Sequence, residues 1–142
     1  MTDLHRVPGD ELTAAELYAL LKLRVDIFVV EQEAPYPELD GRDLLPHTVH
    51  FWVQPDDEPL AYLRVLAEPG GGARIGRVCT MHKARGMGLG SRLMAAALEE
   101  LGDTEIVLDA QVYAQAMYAK FGFRPVGEEF LEDGIPHITM KR

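Results

Sequence analysis

"KARGMGLGSRL", residues 83–93, sets glycines at positions 86, 88 and 90 between an arginine and a serine–arginine pair. The strand-like run "RIGRVCTM" (74–81) leads into it. "LGSRLMAAALEELG" (89–102) follows, with Leu93, Met94, Ala97, Leu98 and Leu101 recurring on one helical face. Strand, glycine loop and helix together make a device for holding an anion. Glycines let successive backbone N–H groups turn inward, and the helix start adds its partial positive charge. Missing Cβ atoms let phosphate oxygens approach the backbone to hydrogen-bonding distance. The spacing is neither G-x-x-x-x-G-K-[ST] nor G-x-G-x-x-G, which points away from P-loop and dinucleotide-binding folds.

Charge singles out the same stretch. The 142 residues carry 23 acidic and 14 basic side chains, a formal net charge of -9. From Pro69 to Leu98 there is no acidic residue, whereas Arg74, Arg77, Lys83, Arg85 and Arg92 all fall there. An acidic chain thus carries one basic window, centred on the glycines. Its overall acidity argues against nucleic acid as a partner. No apolar run approaches the roughly 20 residues of a membrane helix. "MTDLHRVPGDELT" lacks the apolar core of a signal peptide, so a cytoplasmic protein with no membrane partner is expected.

Cys79 is the only cysteine, which rules out an internal disulfide and a cysteine-rich zinc site. It reads as a packing residue. His47 and His50 in "HTVH" would face opposite sides of a strand, and no metal site is expected.

The remaining pattern alternates helix and strand. "LHRVP" (4–8) reads as a short strand, and "TAAELYALLKLRVDIF" (13–28) as a helix opened by a Thr13/Glu16 capping box. "TVHFWV" and "LAYLRVLA" flank the turn "QPDDEP" as a hairpin, and "PGGGA" turns the chain into the strand before the loop. "EIVLDA" (105–110) completes a parallel crossover, "VYAQAMYAKFG" (112–122) is a short helix, and the tail forms a hairpin about "EDGIP". The prediction is one α/β domain over 1–142, with a mixed, mostly antiparallel sheet of six or seven strands flanked by helices.

Two motifs in this order resemble the GNAT N-acetyltransferase superfamily. Its pyrophosphate loop, R/Q-x-x-G-x-G, corresponds to Arg85, Gly88 and Gly90. Its N-x-x-A-x-x-x-Y-x-x-x-G-F motif corresponds to "QVYAQAMYAKFGF", with Ala114, Tyr118, Gly122 and Phe123 in register and Gln111 where asparagine is commoner. "LRVDIFVVEQEAPYPELDGRD" (23–43) and "GFRPVGEEFLEDGIPHITM" (122–140) further resemble the ElaA-like branch.

The resemblance implies acetyl-CoA as acyl donor, bound where two central parallel strands splay apart. Main-chain groups of Val78, Cys79 and Thr80 would meet pantetheine. Arg85, Gly86, Met87, Gly88, Leu89, Gly90 and Ser91 would receive the pyrophosphate, and Gln111 would offer its amide. Tyr118 would protonate the departing thiolate after attack by a primary amine of a small molecule or peptide. For the general base, Glu31, His50, Asp109, His137 and a water relay are all open, since Arg74 stands where some members carry glutamate. The acidic stretch 29–43, with Glu31, Glu33, Glu38, Asp40, Asp43 and Tyr36, suits a cationic acceptor or is simply a solvated loop. Two other functions fit the same motifs: a CoA-binding regulatory module without transfer, or transfer of a longer acyl chain. Acyl-homoserine-lactone synthases share a stretch similar to "RVDIFVVEQ". Oligomeric state stays open, a homodimer included.

Overall fold

The hairpin forms as its alternation requires. β2 (Val49–Val53) and β3 (Ala61–Ala67) pair antiparallel, with Phe51 opposite Leu63 and Trp52 opposite Tyr62. β1 (Leu4–Pro8) pairs with β2, and β4 (Ala73–Thr80) with the far edge of β3, both antiparallel. In this computed structural model, which describes residues 3–142, α2 (Leu89–Leu101) then carries the chain to β5 (Ile106–Gln111), parallel to β4. α3 (Gln115–Ala119) follows, and β6 (Arg124–Pro125), β7 (Phe130–Glu132) and β8 (Ile135–Lys141) close the chain. The sheet order is β1-β2-β3-β4-β5-β8-β6, with β7 on β8. The eighth strand is the two-residue β6. Asp133 and Gly134 both take positive φ in the β7–β8 turn, as a two-residue hairpin demands.

Helices cover both faces. Leu93, Met94 and Ala97 of α2 are fully buried against Phe51, Leu63, Ile75 and Leu108. On the other face α1 (Ala14–Val25) sets Leu20 and Leu23 over Trp52, Tyr62 and Cys79. Each buried leucine contributes about 2 kcal/mol, so the sheet is held from both sides. Thr13 caps α1 as its spacing predicts: its hydroxyl accepts from Glu16 N–H at 3.1 Å, and the Glu16 carboxylate accepts from Thr13 N–H at 2.9 Å. The helix then loosens. Asp26–Glu31 is a π-helical segment in which Gln32 N–H bonds the Ile27 carbonyl, five residues back. The expected α-helix through Phe28 therefore ends at Val25.

Two irregularities shape the middle of the sheet. β4 and β5 pair only at Ala73–Ile106 and Arg74–Val107, although β4 runs on to Thr80 and β5 to Gln111. β4 also carries a bulge: Tyr62 faces Cys79 but Arg64 faces Gly76, so Leu63 stands opposite both Arg77 and Val78. Arg77 sits there at φ 54. Among the described residues no helix is long and apolar enough to cross a membrane.

Candidate active site

Beyond Arg74 and Val107 the two parallel strands part, and the gap belongs to a cleft of about 1370 Å³ that is also lined by the 27–48 segment, the end of β3 and the β7–β8 turn. Val78, Cys79 and Thr80 of β4 line one wall; Gln111, Ala114, Met117 and Tyr118 line the other. Arg74 stands at the closed end, bonded to Glu68 at 2.8 Å and to Asp109 at 3.1 Å. At the other end the cleft meets a smaller hollow formed by Thr80, Ala84, Arg85, Gly86, Gly88, Leu89, Gly90, Ser91 and Met117.

This hollow is the glycine loop. Gly86 and Gly88 adopt φ of 83 and 74, which L side chains take only with strain. Gly90 does not, and a Cβ there would meet nothing within 4 Å. Neither the backbone nor the surrounding protein therefore demands a glycine at 90. α2 begins without a side-chain cap at Gly88, and Arg92 N–H to the Gly88 carbonyl, 3.0 Å, is its first turn's bond. The N–H groups of Leu89, Gly90 and Ser91 consequently have no acceptor within the helix. Three donors at a positive helix end, with the Cβ removed beside them, fit a phosphate group.

Most of the residues read from sequence converge on this path. Met87 does not: its side chain is 65% exposed and lines neither the cleft nor the hollow. The Arg85 guanidinium is largely taken up by the protein, bonding the Thr80 carbonyl at 3.0 Å and Glu31 at 2.7 Å. It ties the loop to the end of β4 and to the π-helical segment. Gln111 reaches across the cleft, its amide 3.4 Å from the Gln32 side-chain oxygen. Met117, Ala84, Gln32 and Phe28 also line the site, and nothing in their local pattern separates them from core or loop residues.

Tyr118 is buried on α3 and meets Phe123 edge-on, with ring centroids 6.2 Å apart. Burial pushes its hydroxyl pKa well above the usual phenol value, so it carries its proton at neutral pH. Cys79 is a free, buried thiol pushed up to about 12 by burial. It stays protonated and inert as a nucleophile.

Part of the acidic stretch departs from a solvated loop, although Glu31 and Glu33 are exposed. Glu38 and Asp43 are buried and face inward onto arginines. Arg24, at the end of α1, donates to Glu38 and to Asp43, each at 2.7 Å. Arg64 of β3 donates to Asp43 at 2.9 Å and to Asp40. Arg77 donates to the same Glu38 oxygen at 2.7 Å and stacks over the Tyr36 ring at 4.9 Å. Of the five carboxylates expected to suit a cationic acceptor, Glu38, Asp40 and Asp43 are thus paired with arginines of this cluster, and Glu31 with Arg85. Among the described residues no group of three or more His, Cys, Asp and Glu could hold a metal ion.

Residues 28–142 match the family model for an acetyltransferase (GNAT) domain. Over 98% of its length the chain is 56% identical to a UPF0039 protein of Mycobacterium tuberculosis, covering 92% of that protein. It is 43% identical to protein ElaA of Escherichia coli, over 99% of this chain and 94% of that one. The crystal structure of an acyl-CoA N-acyltransferase from Pseudomonas aeruginosa superposes with a TM-score of 0.92 at 45% identity, and 99% of each chain is covered. By these matches the chain belongs to the GNAT acetyltransferase family, in the branch that contains ElaA.

Proposed function

We propose that this protein transfers the acetyl group of acetyl-CoA to a primary amine of a small molecule or peptide, in the cytoplasm and without a metal. The observation that carries this reading is the divergence of β4 from β5 beside the glycine cradle. It creates a path with unpaired strand edge along its length and unpaired helix N–H groups at its end. Pantetheine can pair with the edge at Val78, Cys79 and Thr80, much as an added strand would, and the pyrophosphate can settle on Gly86 to Ser91. Gln111 offers its amide to the same chain from the opposite wall.

The chemistry then falls between the two walls. A neutral amine attacks the thioester carbonyl; a backbone N–H of β4, shielded from water, supports the oxyanion. The C–S bond breaks and Tyr118 protonates the thiolate. Burial makes Tyr118 a weaker acid, but the same dry surroundings raise the proton affinity of the thiolate beside it. The transfer depends on the difference between the two, which shared desolvation changes less than either value.

The test is thiol release from acetyl-CoA with a panel of amines, amino acids and peptides, alongside acetyl-CoA binding by calorimetry. Acceptor-dependent release supports transfer. Binding without release across the panel supports a regulatory module, and faster release from longer acyl-CoAs moves the donor assignment. A chain that binds no CoA ends the proposal.

A further inference from the structure

Amine attack needs a group to take the ammonium proton, and the sequence offered four side-chain candidates: Glu31, His50, Asp109 and His137. Three are already engaged. Asp109 accepts from Arg74 at 3.1 Å on one oxygen and from the Thr139 hydroxyl at 2.7 Å on the other. Glu31 is ion-paired with Arg85 at 2.7 Å. His50 is fully buried between the Tyr62 hydroxyl and the Asp43 carbonyl, so neither ring nitrogen reaches the cleft.

His137 differs. It lies on β8 directly opposite Gln111, where β5 ends, and it lines the cleft with Tyr118. Its Nδ1 is 2.7 Å from the Ile135 carbonyl. A carbonyl only accepts, so Nδ1 carries a hydrogen, and in the neutral ring Nε2 is then the nitrogen with the lone pair. Phe130 stacks on the ring at 5.8 Å and holds its plane. The Glu132 carboxylate is 3.6 Å from Nε2, on the side where an imidazolium proton would form. Orientation by a carbonyl at one nitrogen and a carboxylate waiting at the other suits a group that gains a proton during the reaction.

We infer that His137, through Nε2, is the general base that deprotonates the acceptor amine; this rests on the transfer reading above. The bound ammonium gives one proton to Nε2, and Glu132 steadies the imidazolium. The amine nitrogen bonds to the thioester carbon, and the oxyanion collapses with cleavage of the C–S bond. Tyr118 protonates the thiolate and recovers a proton from the amide nitrogen as it loses its charge. His137 returns its proton to solvent, so one ammonium and one thioester yield an amide, a thiol and one released proton. The groups that bear on the ring's protonation are Glu132 and Asp133 from the β7–β8 turn, Asp109 with Arg74 from the sheet, and Tyr113 and Tyr118 near α3.

The decisive variant is His137→Gln, followed by kcat and kcat/KM against pH and by acetyl-CoA affinity. A general base acts only in its unprotonated form, so the wild-type kcat/KM is expected to show an acid limb. His137→Gln should lose the limb and fall about 100-fold or more in kcat at neutral pH, with acetyl-CoA affinity unchanged. Glu132→Gln should shift the limb and lower kcat, because it removes the carboxylate that steadies the imidazolium. Retention of the limb or of wild-type kcat in His137→Gln overturns the inference while leaving transfer itself standing; absence of acceptor-dependent release in the wild type instead strikes the transfer reading. Imidazole nitrogen NMR, assigned by difference against His137→Gln, reads the tautomer without turnover. A hydrogen on Nε2 with the lone pair on Nδ1 would overturn the inference on its own.

Discussion

Gly90→Ala separates what the fold needs from what a ligand needs. Gly90 is the second residue of α2, its φ is ordinary, and an added Cβ meets no atom within 4 Å. Replacing glycine by alanine at a compatible helical site removes freedom from the unfolded chain and stabilises by about 0.4–1 kcal/mol. For a chain of this size that raises Tm by roughly 1–4 °C. Acetyl-CoA binding should move the other way. The methyl group stands among the free N–H groups of Leu89, Gly90 and Ser91, and losing one charge-assisted bond to the pyrophosphate costs about 1.5–3 kcal/mol. That corresponds to a roughly 10- to 100-fold weaker Kd. Scanning fluorimetry without ligand and calorimetry with acetyl-CoA read the two effects separately. A variant that is more stable yet binds acetyl-CoA as tightly as wild type would refute the phosphate role of this backbone. One that is less stable without ligand would refute the open space around Gly90. Gly88→Ala supplies the contrast: at φ 74 it should lose about 1–2 kcal/mol of stability whatever happens to binding.

Tyr118→Phe keeps the ring against Phe123 and removes the proton; kcat should drop about 100-fold with acetyl-CoA affinity unchanged, and an unaltered kcat would remove Tyr118 from the chemistry. Arg24→Met strands the buried Glu38 and Asp43 carboxylates and should cost about 3–5 kcal/mol in urea unfolding, where a change below about 1 kcal/mol would contradict the ion cluster. Burial lowers the His50 pKa, so as pH falls the unfolded chain takes up that proton before the folded one. The stability His50 contributes is therefore intact above the ordinary histidine value of about 6.5 and declines below it. Urea midpoints between about pH 7.5 and 5 should fall in the wild type and fall less in His50→Gln. Asp40 and Asp43, held low by Arg64 and Arg24 against the opposing effect of burial, add a second loss only once the pH drops below the ordinary carboxylate range.

What could be read from the chain alone follows how local each constraint is. The glycine loop was legible because an anion held on backbone forces glycines at fixed spacing and a helix straight after them. Thr13 with Glu16, the β2–β3 alternation and the Asp133–Gly134 turn are equally local, and each formed as read. The ion cluster was not legible, because Arg24 and Glu38 are 14 residues apart and Arg77 and Glu38 are 39 apart. No period marks such partners, and acidic residues in a proline-broken loop look solvated. The π-helical segment was hidden for a related reason: Val25 and Phe28 keep a helical spacing whether the next bond reaches back four residues or five. His137 could be named as a candidate from its type, but its tautomer depends on a carbonyl and a carboxylate that only the folded hairpin brings to it.

The cluster also changes what the acidic stretch is for. One Glu38 oxygen accepts from Arg24 and from Arg77, so a single carboxylate joins the end of α1 to the bulge in β4. A non-glycine residue at φ 54 costs about 1–2 kcal/mol, and such strain persists only where surrounding contacts over-determine it. Here the contacts are Glu38 on the Arg77 guanidinium and Tyr36 beneath it. The bulge lies just beyond the point where β4 leaves β5, so the acidic stretch holds the curved strand along which the thioester would lie. Its charge is taken up in holding that strand. A cationic acceptor, if one is used, must be recognised by groups the cluster leaves over, and Glu132 and Asp133 beside His137 are carboxylates that line the cleft without an arginine partner among the described residues.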